Sequence, residues 1–170
     1  KKPAKKILDL GTGSGNLAVT LLCEWPEAEA VATDISLYAL KVAARNAKSH
    51  KVFERLELTG SDWFSNIFSK FDLIVSNPPY IGADEVGGLE KDVKDFDPII
   101  ALSPGKDGLS AYRQIAKNAI GHLETDGRLI VEIGNLQGAD LKYILNMYGY
   151  KEIRIHKDLD GYDRVVSCKR

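Results

Sequence analysis

Long apolar runs are missing from this chain, and so is any large excess of one charge. No stretch approaches the roughly 20 apolar residues that cross a bilayer, and the formal net charge over 170 residues is -1. The first absence leaves no helix to anchor these residues in a membrane. The second removes the electrostatic pull toward polyanions that marks many nucleic-acid binders. Cysteine is nearly absent as well: Cys23 and Cys168 show neither metal-ligand spacing nor a disulfide framework. That points to a reduced, cytoplasmic setting and to no bound metal. Cys23 falls in an apolar helical pattern, where a small buried thiol is expected. His50, His122 and His156 pair with no nucleophile and are assigned no chemistry. Internal repeats and low-complexity tracts are absent, and the basic start Lys1-Lys2-Pro3-Ala4-Lys5-Lys6 leads into a strand rather than a signal-peptide core. With 44% hydrophobic and 28% charged residues, the chain has the composition and length of one globular domain.

Read in order, apolar spacing alternates between the two regular periods. Lys5 to Leu10 is a short β-favouring run, and Gly11-Thr12-Gly13-Ser14-Gly15 follows before a helix carrying Leu17, Ala18, Leu21 and Leu22. Trp25-Pro26-Glu27 closes that helix, and Ala28 to Thr33 is a second strand ending at Asp34. Ser36 then caps a helix with Leu37, Leu40, Ala44 and Ala47 on its apolar face. Further strands are expected at Leu56 to Leu58 and Phe71 to Val75. Gly108 to Leu123 places Leu109, Tyr112, Ile115, Ala116, Ala119, Ile120 and Leu123 on one helical face. The turn Thr125-Asp126-Gly127 leads to a strand at Leu129 to Ile133, and a helix from Leu136 to Tyr148 stops at Gly149. Lys151 to His156 and Arg164 to Ser167 form a hairpin. Alternating strands and helices closing in a hairpin predict an α/β fold with a doubly wound, mostly parallel sheet.

Two loops concentrate the chemistry. Ser76-Asn77-Pro78-Pro79-Tyr80 follows the apolar run at Phe71 to Val75, where open α/β sheets place their ligands. Two prolines fix two φ angles and remove two N–H donors, so the loop offers acceptors: the Asn77 side-chain oxygen and bare carbonyls. Such a loop suits a substrate that donates N–H, and the Tyr80 ring can stack on a planar amide or base. Between Ile81 and Lys106 no periodicity survives, and this stretch is expected to form the substrate-side wall.

The glycine loop between Leu10 and Asn16 allows close backbone approach to a ligand. Asp34, ending the next strand, can accept from ribose hydroxyls in either a nicotinamide dinucleotide or S-adenosylmethionine. Asn16 stands where the dinucleotide fingerprint has its third glycine, which favours S-adenosylmethionine. Asp9 favours it too, since a carboxylate there repels a pyrophosphate but helps hold an ammonium group. Asp62 and Trp63 end the third strand: Asp62 either accepts from an adenine amino group or caps a helix, and Trp63 either packs on the purine or anchors the core.

With Asp9 to Gly15, Asp34, Asp62-Trp63-Phe64 and Asn77-Pro78-Pro79-Tyr80 in this order, the chain resembles the class I S-adenosylmethionine-dependent methyltransferases. More narrowly it resembles the HemK/PrmC family of peptide chain release factor glutamine methyltransferases. The narrower likeness rests on Phe96-Asp97-Pro98 through Ala101-Leu102, Asp107-Gly108-Leu109, Tyr112-Arg113, Glu132-Ile133-Gly134 and Asp163-Arg164-Val165. Asp97 stands where that family has Glu, and Pro104 where it has glycine. The resemblance implies a Rossmann-like sheet of seven strands and methyl transfer to the side-chain amide (N5) of the glutamine in the Gly-Gly-Gln tripeptide of class 1 release factors. It implies S-adenosylmethionine as cofactor, with S-adenosylhomocysteine as product, and a monomer. Asp9, the loop residues Gly11, Thr12, Gly13, Ser14 and Gly15, then Asp34, Ile35, Asp62, Trp63 and Asn77 would contact the cofactor. Asn77, Pro78, Pro79 and Tyr80 would hold the glutamine, with Asn77, Pro78 and Tyr80 acting in catalysis. The family's helical recognition domain ahead of the first strand has no counterpart in residues 1–170, which are expected to be the catalytic domain. The Asn-Pro-Pro-Tyr motif also occurs in methyltransferases of nucleic-acid bases, so base methylation is the alternative, followed by a non-catalytic cofactor-binding module. The balanced charge weighs against nucleic acid.

Overall fold

Strands and helices alternate as the apolar spacing predicts. The computed structural model describes residues 3–79 and 108–170, and within them β1 (Lys6–Leu10) is followed by α1 (Asn16–Glu24), β2 (Glu29–Asp34) and α2 (Leu37–Ser49). A single 3₁₀ turn, Phe53–Arg55, leads into β3 (Leu56–Gly60), and β4 (Phe71–Ser76) comes next. After the undescribed residues stand α3 (Ser110–His122), β5 (Leu123–Glu132), α4 (Gly138–Met147), β6 (Lys151–Lys157) and β7 (Asp163–Lys169). The seven strands form one sheet in the order β3-β2-β1-β4-β5-β7-β6. All neighbours pair in parallel except β7, which runs antiparallel to both β5 and β6. The doubly wound, mostly parallel sheet closing in a hairpin is therefore what the chain forms.

The sheet is buried on both faces because apolar residues occupy both parities of the central strands. Leu8, Leu10, Ile74, Leu129 and Val131 face α3 and α4, meeting Tyr112, Ile115, Ala116, Leu141 and Leu145. Ile7, Ala30, Ala32, Leu73 and Val75 face α1 and α2, meeting Ala18, Val19, Leu22 and Ala47. Alanine dominates this second interface, which lets the helices lie close to the strands.

Four expectations need correction. Leu37 does not join the buried face of α2 but lies 67% exposed beside Gly60, and Ala43 takes its place. Cys23 is exposed, because the buried stripe of α1 runs through Ala18, Val19 and Leu22 and turns position 23 outward. The turn at Thr125-Asp126-Gly127 does not precede β5 but interrupts it. Phe71 pairs with Leu123 and Leu73 with Arg128, so the intervening residues bulge out. Gly127 is needed there: a Cβ would stand 2.8 Å from the Glu124 carbonyl and 3.1 Å from that of Phe71. Finally, β3 and β4 run on to Gly60 and Ser76, beyond their last large apolar residues.

The 3₁₀ turn fixes the far end of α1. Arg55 donates from its guanidinium to the carbonyls of Leu22, Ala28 and Trp25 at 2.7, 2.7 and 3.1 Å, satisfying the helix end and the entry to β2 together. Arg55→Ala is expected to cost about 2–3 kcal/mol in urea unfolding. Arg55→Lys should recover less than half of it, since one ammonium cannot span three carbonyls. Full recovery by lysine would show that charge alone, and not the fork, closes this end.

Candidate active site

Parallel strands β3, β2, β1 and β4 end together, and the register aligns their carboxyl ends. Leu10 lies opposite Thr33 and Ser76, and Asp34 opposite Gly60. The four loops that follow carry the glycines, Asp34-Ile35, Asp62-Trp63 and Asn77-Pro78-Pro79. Between β1 and β4 the chain order reverses direction across the sheet, which is the position where open α/β folds form a crevice.

The glycine loop is held from below by Asp9. This carboxylate is fully buried on the α1 face of β1; its Oδ2 accepts from the Thr12 hydroxyl at 2.6 Å and from the Ala18 N–H at 3.1 Å. The N-cap of α1 is Gly15, with φ +84° and no side chain to cap with, so Asp9 supplies the missing acceptor from the strand. Among the described residues Asp9 Oδ1 has no hydrogen-bond partner. Burial pushes the carboxyl up from the ordinary 3.8 to about 6, against the Thr12 and Ala18 bonds, which lower it, and with a small upward push from Asp34.

From the side the loop is held by α2 and by β2. Asn46 Nδ2 donates to the Ser14 carbonyl at 2.9 Å, and a Cβ on Gly15 would stand 3.0 Å from that of Ala43. Thr12 donates its N–H to the Thr33 carbonyl at 2.8 Å. Asp34 accepts from Gly13 N–H on one carboxylate oxygen at 2.9 Å and from Ser36 N–H on the other at 2.8 Å. It is half-buried, and each oxygen keeps a second lone pair for a ligand hydroxyl. Above Gly11 and Gly13 the space is open: a Cβ at either would meet nothing within 4 Å. Ile35 is 59% exposed at the rim of this space.

On the third loop Asp62 is exposed and does not cap a helix; its carbonyl accepts from Ser65 instead. Trp63 is half-buried against the core with φ +50°, a left-handed conformation that bulky residues rarely adopt. Ser61 holds it there by donating to the Trp63 carbonyl at 2.9 Å while accepting from Asn66 N–H at 3.1 Å. On the fourth loop the buried Ser76 hydroxyl donates to the Leu10 carbonyl at 2.8 Å and ties the two central strand ends together. Asn77 is exposed, Pro78 buried and Pro79 half-buried. Tyr80, the stretch from 81 to 106, and with it Asp97 and Pro104, lie outside the described residues.

Thr12, Asn46, Ser61 and Ser76 thus shape the site, and only Thr12 was singled out as a site residue from sequence. A small hydroxyl residue at or just after a strand end is the available signal for Ser61 and Ser76, whereas Asn46, inside α2, carries none. Among the described residues no group of three His, Cys, Asp or Glu side chains is gathered to hold a metal ion. Beyond Asn77, Glu132 ends β5, and burial raises its carboxyl pKa against the pull of Arg164.

Because the raised Asp9 pKa means that the fold prefers the protonated form, its ionisation destabilises the unliganded protein. The stabilisation by neutral Asp9 is complete below about pH 3.8 and is lost as the pH passes 6, a difference of about 3 kcal/mol. Asp9→Asn keeps an acceptor for Thr12 and Ala18 but cannot ionise. Denaturant unfolding between pH 4 and 7.5 should therefore show the variant gaining about that much relative to wild type. A stability difference independent of pH would mean that Asp9 ionises at its ordinary value.

The chain is similar to known methyltransferases over nearly its whole length. Residues 1–88 match the model of the methyltransferase small domain. A release factor glutamine methyltransferase of Cereibacter sphaeroides is 50% identical over 168 residues, 99% of this chain and 60% of the relative. A bifunctional methyltransferase of Rickettsia felis is 47% identical over 162 residues, 95% of this chain and 31% of the relative. The chain thus spans 60% of the first relative's length and 31% of the second's. A crystal structure of a methyltransferase from Pyrococcus furiosus superposes with a TM-score of 0.74 at 17% identity, over 99% of this chain and 76% of that one. The doubly wound sheet and the match over residues 1–88 lead to one conclusion: the chain belongs to the methyltransferase small-domain family.

Proposed function

We propose that this chain is the catalytic domain of a release factor glutamine methyltransferase, which moves a methyl group from S-adenosylmethionine to the side-chain amide of the glutamine in a Gly-Gly-Gln tripeptide. The observation that carries the reading is the acceptor-rich Asn77-Pro78-Pro79 turn, bound through Ser76 to the end of β1 where the glycine loop begins. The 50% identity to the Cereibacter sphaeroides enzyme supports the choice of substrate.

The residues present fit the cofactor. Open space above Gly11 and Gly13 admits a ligand against the backbone, and the buried Asp9 Oδ1, without a partner among the described residues, favours positive charge nearby. Asp34 has lone pairs left for ribose hydroxyls, while Ile35, Asp62 and the strained Trp63 border the side where a purine would lie. Thr12, Ser14 and Gly15 act through the loop backbone. When bound, S-adenosylmethionine supplies an electrophilic methyl group on sulfur.

What the chain must do is orient a poor nucleophile. An amide nitrogen has its lone pair delocalised into the carbonyl, and no ordinary side chain deprotonates it. Asn77 Oδ1 and the Pro78 carbonyl accept its two N–H bonds and turn the nitrogen toward the space over the glycine loop. Pro78 and Pro79 have no N–H to compete for those acceptors. Tyr80, outside the described residues, would stack on the amide plane by the same reading. Positive charge grows on the nitrogen during transfer, so acceptors fixed beside it stabilise the transition state more than the bound ground state. The extra proton leaves to water afterwards. Positioning supplies most of the acceleration.

Labelled S-adenosylmethionine offered with a purified class 1 release factor, a version lacking the tripeptide glutamine, and bulk RNA tests the reading. Label on the first alone is expected; label on RNA would replace it with base methylation. Asn77→Ala should lower kcat by roughly 10²–10⁴-fold, with cofactor Kd changed less than about fivefold. Near-normal turnover in that variant would remove Asn77 from catalysis.

A further inference from the structure

At the start of α4 one side chain ties three separate segments together. Gln137 Oε1 accepts from the Tyr112 hydroxyl at 2.8 Å and from Gly134 N–H at 3.0 Å, and its Nε2 donates to the Gly108 carbonyl at 3.4 Å. Gln137 N–H also donates to the Gly134 carbonyl at 3.0 Å, so the turn after β5 is closed by backbone and side chain at once. Tyr112 is fully buried in α3, where a phenol depends on a fixed acceptor. Gly108, with φ +65°, leads into α3. The clamp thus joins the start of α3, the loop leaving β5 and the start of α4.

Its place in the sheet gives it a consequence. Strands β4 and β5 are parallel neighbours with Ser76 opposite Val131. Pro79 lies three residues beyond Ser76, and Gly134 three beyond Val131. The two strands therefore deliver the Asn77-Pro79 turn and the Gly134-Gln137 turn to the carboxyl edge side by side. The glycine loop, on the other flank of Asn77, is held by a different set of residues: Asp9, Asp34 and Asn46.

We propose that Gln137 is a positioning residue for the methyl acceptor, fixing the wall beside Asn77-Pro79, and that it takes no part in holding the methyl donor. The inference rests on reading Asn77-Pro79 as the acceptor site. Leucine at 137 fills a similar volume without any of the three hydrogen bonds. Glutamate keeps the oxygen that accepts from Tyr112 and Gly134 and, among the described residues, gives up the contact to Gly108.

Steady-state methyl transfer to a class 1 release factor, with calorimetry of S-adenosylmethionine binding, separates the two halves of the site. Gln137→Leu is expected to raise KM for the release factor tenfold or more and to leave the cofactor Kd within twofold. Gln137→Glu should recover most of the loss, and Tyr112→Phe should add little on top of Gln137→Leu, because both remove the same bond. Equal weakening of donor and acceptor, no effect on either, or no rescue by glutamate overturns the assignment. If the wild-type protein transfers no methyl to the release factor, the functional reading fails separately, and amide exchange decides for Gln137. Faster exchange in Gln137→Leu at residues 108–113 and 134, with Gly13 and Ala18 unchanged, keeps the division between the two flanks. Uniform acceleration ends it.

Discussion

The contact on which this site depends is the buried carboxylate of Asp9 reaching across from β1 to the first turn of α1. Three elements meet there: the strand that supplies the acid, the loop whose Thr12 hydroxyl binds it, and the helix whose Ala18 N–H it caps. A loop of three glycines in five residues has little conformational preference of its own and would sample many states. Anchoring both of its ends to one acid removes most of that freedom. The cost is a carboxylate taken out of water with one oxygen unpartnered, and burial outweighs both hydrogen bonds in setting its proton affinity. Functional sites commonly store such strain.

Around that contact the carboxyl edge divides into two flanks. On one, β2 and α2 hold the glycine loop through Asp34, Thr33 and Asn46. On the other, Gln137 and Tyr112 join β5, α3 and α4 beside the proposed acceptor turn. The Ser76 to Leu10 hydrogen bond is the seam between them, so displacement of one strand end carries the other with it. Such a division lets the two ligand halves be tuned by different residues while their distance stays fixed.

The layers of the fold were legible because period and punctuation agreed. The Ser36 cap accepting from Ala39 N–H and the Gly149 stop sit where the sequence puts them. What could not be read came from contacts distant in sequence. Leu37 looks like a core residue by spacing, yet it stands at the first position of α2 against Gly60 at the end of β3 and stays 67% exposed. Thr125-Asp126-Gly127 has every mark of a turn and is one, but only the register against β4 shows that pairing resumes on both sides of it. In the site, Asp34 was legible as an acid at a strand end, though not its two bonds to Gly13 and Ser36. Gln137 gave no signal at all, since its partners lie 25 and 29 residues away as well as nearby.

The position of β7 also governs how the molecule can be assembled. It is the last strand in chain order, but it lies inside the sheet, between β5 and β6. Until it inserts, β6 has no neighbour to bond with, and β5 presents an open edge of unpaired amides. A chain emerging from its N-terminal side can complete β3-β2-β1-β4 and its helices early, yet must keep the edge of β5 open until residues 163–169 arrive. The charged side chains of β6, Lys151, Glu152, Arg154 and Lys157, protect that waiting strand from pairing with another molecule.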